Sequence, residues 1–316
     1  MRILLDVFLL ILGFALLIKS AEVFVNASVD IARRLKVPNL VIGLTIMAMG
    51  TSAPELMISV SAAIRGSGDL AVANVVGSNI FNLIFIVGIC AVIYPIDIKL
   101  KEIARDYWVS AAATILLLVV VMVFSDHIPP FVSFILLAGF ITYMFVVVRH
   151  AQKNKIEEND APRDSVKPKP LVLSIFLAAL GAAVIVGGGY LTVFSAVNIA
   201  LAIGVTERVI GLTIVAIGTS LPELVTTIIA CRKREGEFAL GFIIGSNIFN
   251  IMFVLGVAGL ITTLTVERGA LFDLVFLTAG TLVFFLFART GRRLSRVEGL
   301  LMALVYVIYM VMILLL

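Results

Sequence analysis

The sequence predicts an all-α membrane protein with ten transmembrane helices, arranged as two inverted-topology repeats of five, in which helices 2 and 7 are broken. Three observations predict this fold. The chain of 316 residues is 61% hydrophobic and only 14% charged, whereas soluble proteins are typically about 45–50% apolar. Its apolar segments have the length that a bilayer-spanning helix needs, about 20 residues. Finally, two polar motifs each occur twice, and the offset between the copies is the same for both motifs.

The predicted spans are separated by short polar turns. The first and sixth are expected to continue as longer, tilted helices to about Leu35 and Ile203, because a lipid-facing break would leave backbone groups unsatisfied. The first span is expected to be retained, since Leu12-Gly13 recurs as Leu180-Gly181 in mid-chain and no clear signal-peptide cleavage site follows it. The predicted spans are 3–20, 39–64, 70–95, 107–125, 129–148, 171–191, 207–231, 238–264, 269–288 and 298–316.

One long polar stretch divides the spans into two groups of five. We interpret it as a flexible linker, so that residues 1–150 form the first repeat, 151–169 the linker and 170–316 the second repeat. Because each repeat has an odd number of spans, the second repeat is expected to insert upside down relative to the first.

The basic residues predict the orientation. With the spans above, 19 of the 24 Lys and Arg residues fall on the side of the linker. The rule that Lys and Arg stay inside then places the linker in the cytoplasm and both termini outside the cell membrane. A pI near 9.1 would suggest nucleic acid in a soluble protein, but here the charge sets topology. The expected partners are the bilayer and transported ions, with a monomeric transport unit and no nucleic acid.

The repeated motifs carry the polar residues of the spans. Gly-Thr-Ser-x-Pro-Glu occupies 50–55 and 218–223, and Gly-Ser-Asn-Ile-Phe-Asn occupies 77–82 and 245–250. Proline lacks an N–H and clashes with the preceding turn, so both proline-bearing spans are predicted to break and to free carbonyl and hydroxyl oxygens. The glutamate lies one turn beyond the threonine and therefore on the same helix face.

These motifs predict a cation site between the two halves. An ionisable residue within a membrane span is costly and usually functional. The side chains offer oxygen alone, which suits a hard cation such as Ca²⁺ with its roughly 6–8 oxygen ligands, whereas zinc and copper prefer nitrogen or sulfur. The side chains expected to converge are Glu55, Glu223, Thr51, Thr219, Ser78, Ser246, Asn82 and Asn250.

Other polar residues have a simpler interpretation. Asn79 and Asn247 are expected to form hydrogen bonds between helices rather than to bind an ion. Asp6, Glu22 and Asp273 lack a counterpart in the other repeat, and we interpret them as structural or near an interface.

The paired motifs, present in both halves, resemble the α-repeats of sodium/calcium exchangers of the calcium/cation antiporter superfamily, in a compact prokaryotic form. The likeness covers essentially the whole chain. It implies cofactor-free antiport of Ca²⁺ against Na⁺ by alternating access, with about three Na⁺ per Ca²⁺ and hence coupling to voltage. The first and sixth helices would slide as a bundle across the rest.

The resemblance also implies a division of roles within the site. Glu55 and Glu223 would hold Ca²⁺ together with Thr51 and Thr219, and Asn82 and Asn250 would line the middle. The Na⁺ sites would use the two glutamates with Ser52, Ser220, Ser78, Ser246 and the carbonyls of Ala48 and Ala216.

Single positions refine this expectation. Potassium-dependent relatives carry Asp where this chain has Asn250, so transport is expected to be K⁺-independent. The chain departs from relatives at Phe242, opposite Asn74 in the first repeat, where a small or polar residue is common. A cation/proton antiporter using the same glutamates remains the alternative.

Two further classes are less well supported. Gly66-Ser67-Gly68-Asp69 matches the short Gly-x-Gly-Asp pattern of membrane aspartyl proteases, but it falls in a predicted loop and has no partner motif. His-Glu-x-x-His and Gly-x-Ser-x-Gly are absent from the sequence, and we expect no enzymatic activity. A passive channel is disfavoured by the inverted repeat with a charged midplane site. Cys90 and Cys231 are interpreted as isolated thiols, one packed in the core and one at a helix end.

Overall fold

The structure is a computed structural model that describes residues 2–124, 127–153, 169–204, 216–291 and 293–315. The described chain is helical apart from four two-residue strands. Its helices are α1 (Arg2–Leu35), α2 (Asn39–Ile42), α3 (Ala48–Thr51), α4 (Ala53–Ile64), α5 (Gly68–Ile80), α6 (Val87–Ile93), α7 (Leu100–Phe124), α8 (Pro130–Lys153), α9 (Leu171–Ala202), α10 (Ala216–Thr219), α11 (Leu221–Arg232), α12 (Gly236–Ile248), α13 (Leu255–Ile261), α14 (Arg268–Gly291) and α15 (Arg296–Leu315).

Three π-helical segments and two strand pairs complete the described chain. The π-helical segments are π1 (Gly43–Met47), π2 (Phe81–Ile86) and π3 (Phe249–Val254), and each continues directly from the α-helix before it. The strands are β1 (Ile96–Asp97), β2 (His127–Ile128), β3 (Leu264–Thr265) and β4 (Arg293–Leu294).

Eight helices of the described chain are long and apolar enough to cross a membrane, or nine if the bent pair Asn39–Thr51 and Ala53–Ile64 counts as one span. They include α5–π2–α6 and α12–π3–α13 as continuous spans. The seventh predicted span, 207–231, is described only from Ala216, and residues 207–215 and most of the predicted linker lie outside the described residues. The described chain is therefore that of a multi-pass membrane protein.

The long helices α1 and α9 form a closely packed pair. Both continue past the first apolar run, as predicted, and reach Leu35 and Ala202. A Cβ atom added to Gly13 would lie 2.9 Å from the backbone nitrogen of Thr192, and one added to Gly181 would lie 3.0 Å from the Cβ of Phe24. Small residues allow two membrane helices to approach this closely.

The second span breaks where the proline motif predicts. Helix α3 ends at Thr51, α4 starts at Ala53, and the two parts of the span are bent by 49°. Pro54 occupies the first turn of α4, where its missing N–H would have no helical partner in any case. In the second half, α10 ends at Thr219 and α11 starts at Leu221, with Pro222 in its first turn.

Element boundaries recur with the same offset as the repeated motifs. Helices α4, α5 and α6 match α11, α12 and α13 residue for residue, and π2 matches π3. The π-helical segments were not anticipated from the sequence. Two of them, π2 and π3, begin inside the Gly-Ser-Asn-Ile-Phe-Asn motif, and π-helical turns within α-helices frequently lie at functional sites.

The turns between helices gather at two ends of the molecule. At one end β1 pairs with β4, Lys99 pairs with Glu237 at 2.6 Å, and Asn39 donates to Glu235 at 2.9 Å. At the other end β2 pairs with β3, and the backbone N–H of Asp69 donates to Thr265. The turns of the first end carry basic residues, among them Lys99, Arg234 and Arg293.

A symmetric acid–tyrosine contact corrects one prediction. Tyr143 of α8 donates a hydrogen bond to the buried Asp106 of α7 at 3.0 Å, and Arg105 pairs with the same carboxylate at 2.8 Å. Tyr309 of α15 donates to Asp273 of α14 at 2.8 Å. Asp273 therefore has a counterpart. The constant offset of the motifs misses it, because the aspartates and tyrosines of the two contacts do not keep that offset.

Helix α12 packs closely against π1. A Cβ added to Gly245 of α12 would lie 2.7 Å from the Cα and the carbonyl oxygen of Leu44 in π1. A Cβ added to Gly43 would lie 2.7 Å from the carbonyl oxygen of Phe238. Around Gly77, the counterpart of Gly245, no heavy atom of the described residues lies within 4 Å of such a Cβ.

We therefore expect Gly245→Ala to destabilise the protein by roughly 1–3 kcal/mol, because the added methyl group meets backbone that cannot rotate away. The matched variant Gly77→Ala is expected to change stability by less than about 1 kcal/mol, since alanine also favours helix. Thermal unfolding of the purified protein in detergent measures both. Equal destabilisation of the two variants would contradict the contact between α12 and π1.

Candidate cation-binding site

The two glutamates of the repeated motif lie at equivalent positions of two half-helices. Glu55 is in the first turn of α4 and Glu223 is in the first turn of α11. Both are completely buried. The N-terminus of a helix carries partial positive charge and free N–H groups, which favour a carboxylate there. The break in each span is therefore what allows a carboxylate to be placed inside the protein.

Each glutamate is held by a hydroxyl from the opposite half of the chain. Ser52 donates to an oxygen of Glu223 at 2.9 Å, and Ser220 donates to an oxygen of Glu55 at 3.2 Å. Ser52 and Ser220 are the residues at which the two spans break. The two breaks thus face each other, and the crossed serine contacts bring both carboxylates into one cluster of buried polar side chains.

The second motif joins the same cluster. Ser78 of α5 donates to Glu55 at 3.3 Å and lies 3.0 Å from the hydroxyl oxygen of Ser220. Asn250 of π3 donates to Ser78 at 3.3 Å and to the side-chain oxygen of Asn79 at 3.1 Å. Four chain segments, two from each half, therefore meet around Glu55 and Ser220.

Asn79 and Asn247 hold the central helices together, as predicted. The side-chain amide of Asn79 donates to the backbone carbonyl of Asn247 at 3.2 Å, and the amide of Asn247 donates to the carbonyl of Asn79 at 3.4 Å. This reciprocal pair joins α5 to α12 next to the glutamates. It fixes the distance between the helices that supply Ser78 and Asn250.

Several buried acceptor atoms of the two repeated motifs lack a hydrogen-bond partner. One oxygen of Glu55, one oxygen of Glu223, the hydroxyl of Ser246 and the side-chain oxygens of Asn82 and Asn250 have none among the described residues. An unsatisfied buried polar group costs about 1–3 kcal/mol, and more when it is charged. No Lys or Arg of the described chain forms an ion pair with either glutamate. A cation bound between them would satisfy these oxygens and neutralise the charge.

The remaining predicted residues flank the cluster. Thr51 is buried and donates to the carbonyl oxygen of Met47 at 3.1 Å, and Thr219 is half-buried. The carbonyl oxygen of Ala48 accepts a hydrogen bond from the N–H of Ser52 at 3.1 Å, and Ala216 is the first residue of α10. Each lies in the short helix that ends at a break.

The two halves differ beside the site. Asn74 of α5 is half-buried and donates to the backbone carbonyl of Glu55 at 3.2 Å and to Ser59 at 2.9 Å. Its counterpart Phe242 is fully buried, and its backbone packs against Gly43 of π1. The polar face that leads away from Glu55 along α5 is thus replaced by a closed apolar contact along α12.

Comparisons with known proteins agree with this class of site. The sequence pattern of the family described as "Sodium/calcium exchanger protein" matches residues 5–149 and again 173–315, once in each half. The fold is that of a membrane cation antiporter. The chain belongs to the sodium/calcium exchanger family, and the resemblance found in the motifs is confirmed.

Individual relatives match over most of their length. The chain is 32% identical to the sodium/calcium exchanger MaX1 of Methanosarcina acetivorans, with 96% of this chain and 97% of that protein covered. It is 36% identical to the inner membrane protein YrbG of Escherichia coli over 80% of this chain and 79% of that one. The exchanger NCX_Mj soaked with 2.5 mM Na⁺ and 10 mM Sr²⁺ superposes with a TM-score of 0.85 at 34% identity, covering 97% and 98%.

We expect Glu55→Gln to abolish cation binding, because it removes one of the two buried negative charges while preserving the size of the side chain. The matched control is Asp69→Asn in the first turn of α5. The backbone N–H of Asp69 donates to Thr265, and its carboxylate lies outside the cluster. Isothermal titration of purified protein with Ca²⁺ measures both. An equal loss of Ca²⁺ binding in Asp69→Asn would contradict a cation site at Glu55.

Proposed function

We propose that the protein is a secondary active antiporter that exchanges Ca²⁺ for Na⁺ by alternating access, without a requirement for K⁺. One observation carries the proposal: two buried carboxylates, one from each half, are each bonded to a serine of the opposite half, while an oxygen of each lacks a partner among the described residues. Two uncompensated charges inside an apolar protein require a cation of matching charge. One divalent cation, or several monovalent cations in turn, meets that requirement.

The ligand set favours a hard cation. Within the cluster, glutamate, serine and asparagine side chains offer oxygen acceptors from two different halves, and backbone carbonyls at the breaks add more. Ca²⁺ accepts about 6–8 such ligands in a tolerant geometry. We assign Ca²⁺ to the centre between Glu55 and Glu223 with Thr51 and Thr219, and Na⁺ to flanking positions. The flanking ligands are Ser52, Ser220, Ser78, Ser246 and the carbonyls of Ala48 and Ala216, with Asn82 and Asn250 at the middle.

We further infer a ten-span topology in which the second repeat is inverted. Its support is the position of corresponding strands: β1 and β3 occupy equivalent places in the two repeats, yet β1 lies at the Lys99 end and β3 at the Asp69 end. Corresponding elements at opposite ends are what an inverted repeat requires. The basic turns share the Lys99 end, and the rule that Lys and Arg stay inside supports a cytoplasmic position for that end and the linker, with both termini outside.

The moving part in this proposal is the pair α1 and α9. These helices pack chiefly on each other and contact the rest of the protein mainly through α2, α10 and α11. Sliding the pair would open the cluster to one side and then to the other. Access changes while the carboxylates keep their hydrogen bonds to Ser52 and Ser220, because those bonds lie within the remaining helices.

The proposal predicts that proteoliposomes loaded with Na⁺ take up ⁴⁵Ca²⁺ and that K⁺ or proton gradients do not replace Na⁺. Exchange of about three Na⁺ for one Ca²⁺ moves one positive charge outward per Ca²⁺ taken up. An inside-positive potential should therefore accelerate uptake, because it contributes about 2.3 kcal/mol per 100 mV to this charge movement. Uptake driven by protons without Na⁺ would favour the cation/proton alternative. A ⁴⁵Ca²⁺ flux that does not saturate as the Ca²⁺ concentration rises would indicate a passive channel.

Acid is expected to inhibit transport. Two facing carboxylates without a cation repel each other, and a proton relieves that repulsion as Ca²⁺ does. The apparent affinity for Ca²⁺ should therefore fall as the pH is lowered from neutral to mildly acidic. Saturating Ca²⁺ should restore the maximal rate of transport. Initial rates of ⁴⁵Ca²⁺ uptake across a pH series measure this competition. A flat affinity over that range would contradict it.

A further inference from the structure

The amide side chain of Asn74 reaches the main chain of a glutamate of the cation site. Its nitrogen donates to the backbone carbonyl of Glu55 at 3.2 Å and to the hydroxyl of Ser59 at 2.9 Å. Glu55 and Ser59 are completely buried in α4, whereas Asn74 is a half-buried residue of α5. The contact therefore joins two helices at the residue that carries the charge.

Helix α5 holds Glu55 at two points. Asn74 and Ser78 lie four residues apart and therefore on one face of α5. Asn74 bonds the backbone carbonyl of Glu55, and Ser78 donates to its carboxylate at 3.3 Å. The peptide group is planar, so a bond to the carbonyl fixes the orientation of the main chain from which the side chain projects. The two contacts together restrain both ends of the glutamate.

Helix α12 makes neither contact in the second half. Phe242 occupies the position that corresponds to Asn74, and its side chain has no hydrogen-bond donor. The hydroxyl of Ser246, the counterpart of Ser78, lacks a partner among the described residues. The neighbouring helix therefore holds Glu223 at neither point.

The backbone carbonyl of the second glutamate has a different donor. Thr227, the counterpart of Ser59, donates to the carbonyl of Glu223 at 2.6 Å. Threonines elsewhere in the protein bond the carbonyl four residues earlier, as Thr45 does, so a bond of this kind alone indicates no function. Its significance here is that Thr227 supplies from within the helix the bond that Asn74 supplies from the neighbouring helix.

We propose that Asn74 is a positioning residue of the cation site, which directs the carboxylate of Glu55 through the backbone carbonyl of that residue, and that Thr227 does the same for Glu223. This inference rests on the proposed function, because it takes both glutamates as ligands of the transported cation. Loss of the carbonyl bond weakens cation binding but does not slow transport at saturating Ca²⁺, since the carboxylate of Glu55 keeps its contacts with Ser78 and Ser220.

The test exchanges the donor of the carbonyl bond. Asn74→Leu removes the amide at similar size, and Ser59→Ala is combined with it so that the hydroxyl of Ser59 does not replace the lost donor. We expect Asn74→Leu/Ser59→Ala to raise the Kd for Ca²⁺ roughly 3–10-fold, which is the effect of one hydrogen bond. In Asn74→Leu/Ser59→Thr, which copies the second half, the threonine should restore the Kd to within about twofold of wild type.

Isothermal titration of the full-length protein in detergent with Ca²⁺ measures the Kd, and initial rates of Na⁺-driven ⁴⁵Ca²⁺ uptake measure the maximal rate. That rate should stay within about twofold of wild type in all variants, because only binding is altered. Ser59→Ala alone keeps the bond from Asn74 and should bind Ca²⁺ as wild type does. A second pair leaves α5 unchanged: Thr227→Ser, which keeps the hydroxyl, should bind Ca²⁺ more tightly than Thr227→Val.

Equal Kd values in the two double variants of Asn74 and Ser59 would overturn the inference, because a role in helix packing alone predicts no rescue by threonine. Equal Kd values for Thr227→Ser and Thr227→Val would overturn it for the second half. A lower maximal rate with an unchanged Kd would also contradict it. The titrations need no transport, so wild-type protein that binds Ca²⁺ but is not driven by Na⁺ would overturn the proposed exchange and leave the comparison of Kd values as the test of Asn74.

Discussion

The structure depends on two negative charges that face each other inside an apolar protein. Glu55 and Glu223 are completely buried, and each has one oxygen bonded to a serine of the other half and one without a partner among the described residues. Such an arrangement is unfavourable without a cation. The helix breaks, the half-helix N-termini and the convergent hydroxyls all reduce this cost, and they all come from the two repeated motifs.

Each half of the chain supplies the serine that holds the glutamate of the other half. Because Ser52 holds Glu223 and Ser220 holds Glu55, neither half forms its carboxylate environment alone. The reciprocal pair of Asn79 and Asn247 adds a second connection at the same level. The cluster is consequently a property of the assembled halves, and a shift of one half would alter both glutamates together.

The near-symmetry of the sequence does not produce a symmetric site. Asn74 extends the polar face of α5 towards Ser59, whereas Phe242 and Gly245 of α12 close the equivalent surface against π1. In the proposed alternating-access mechanism, this asymmetry would make the two access routes differ in energy.

Composition and motif spacing were enough to identify the membrane class, the position of the helix breaks and the two glutamates, because burial of apolar surface and the missing N–H of proline act locally. Tertiary structure decided which atoms meet. The crossed serine contacts, the pairing of Asp273 with Tyr309 and the reciprocal pair of Asn79 and Asn247 depend on how helices distant in sequence pack.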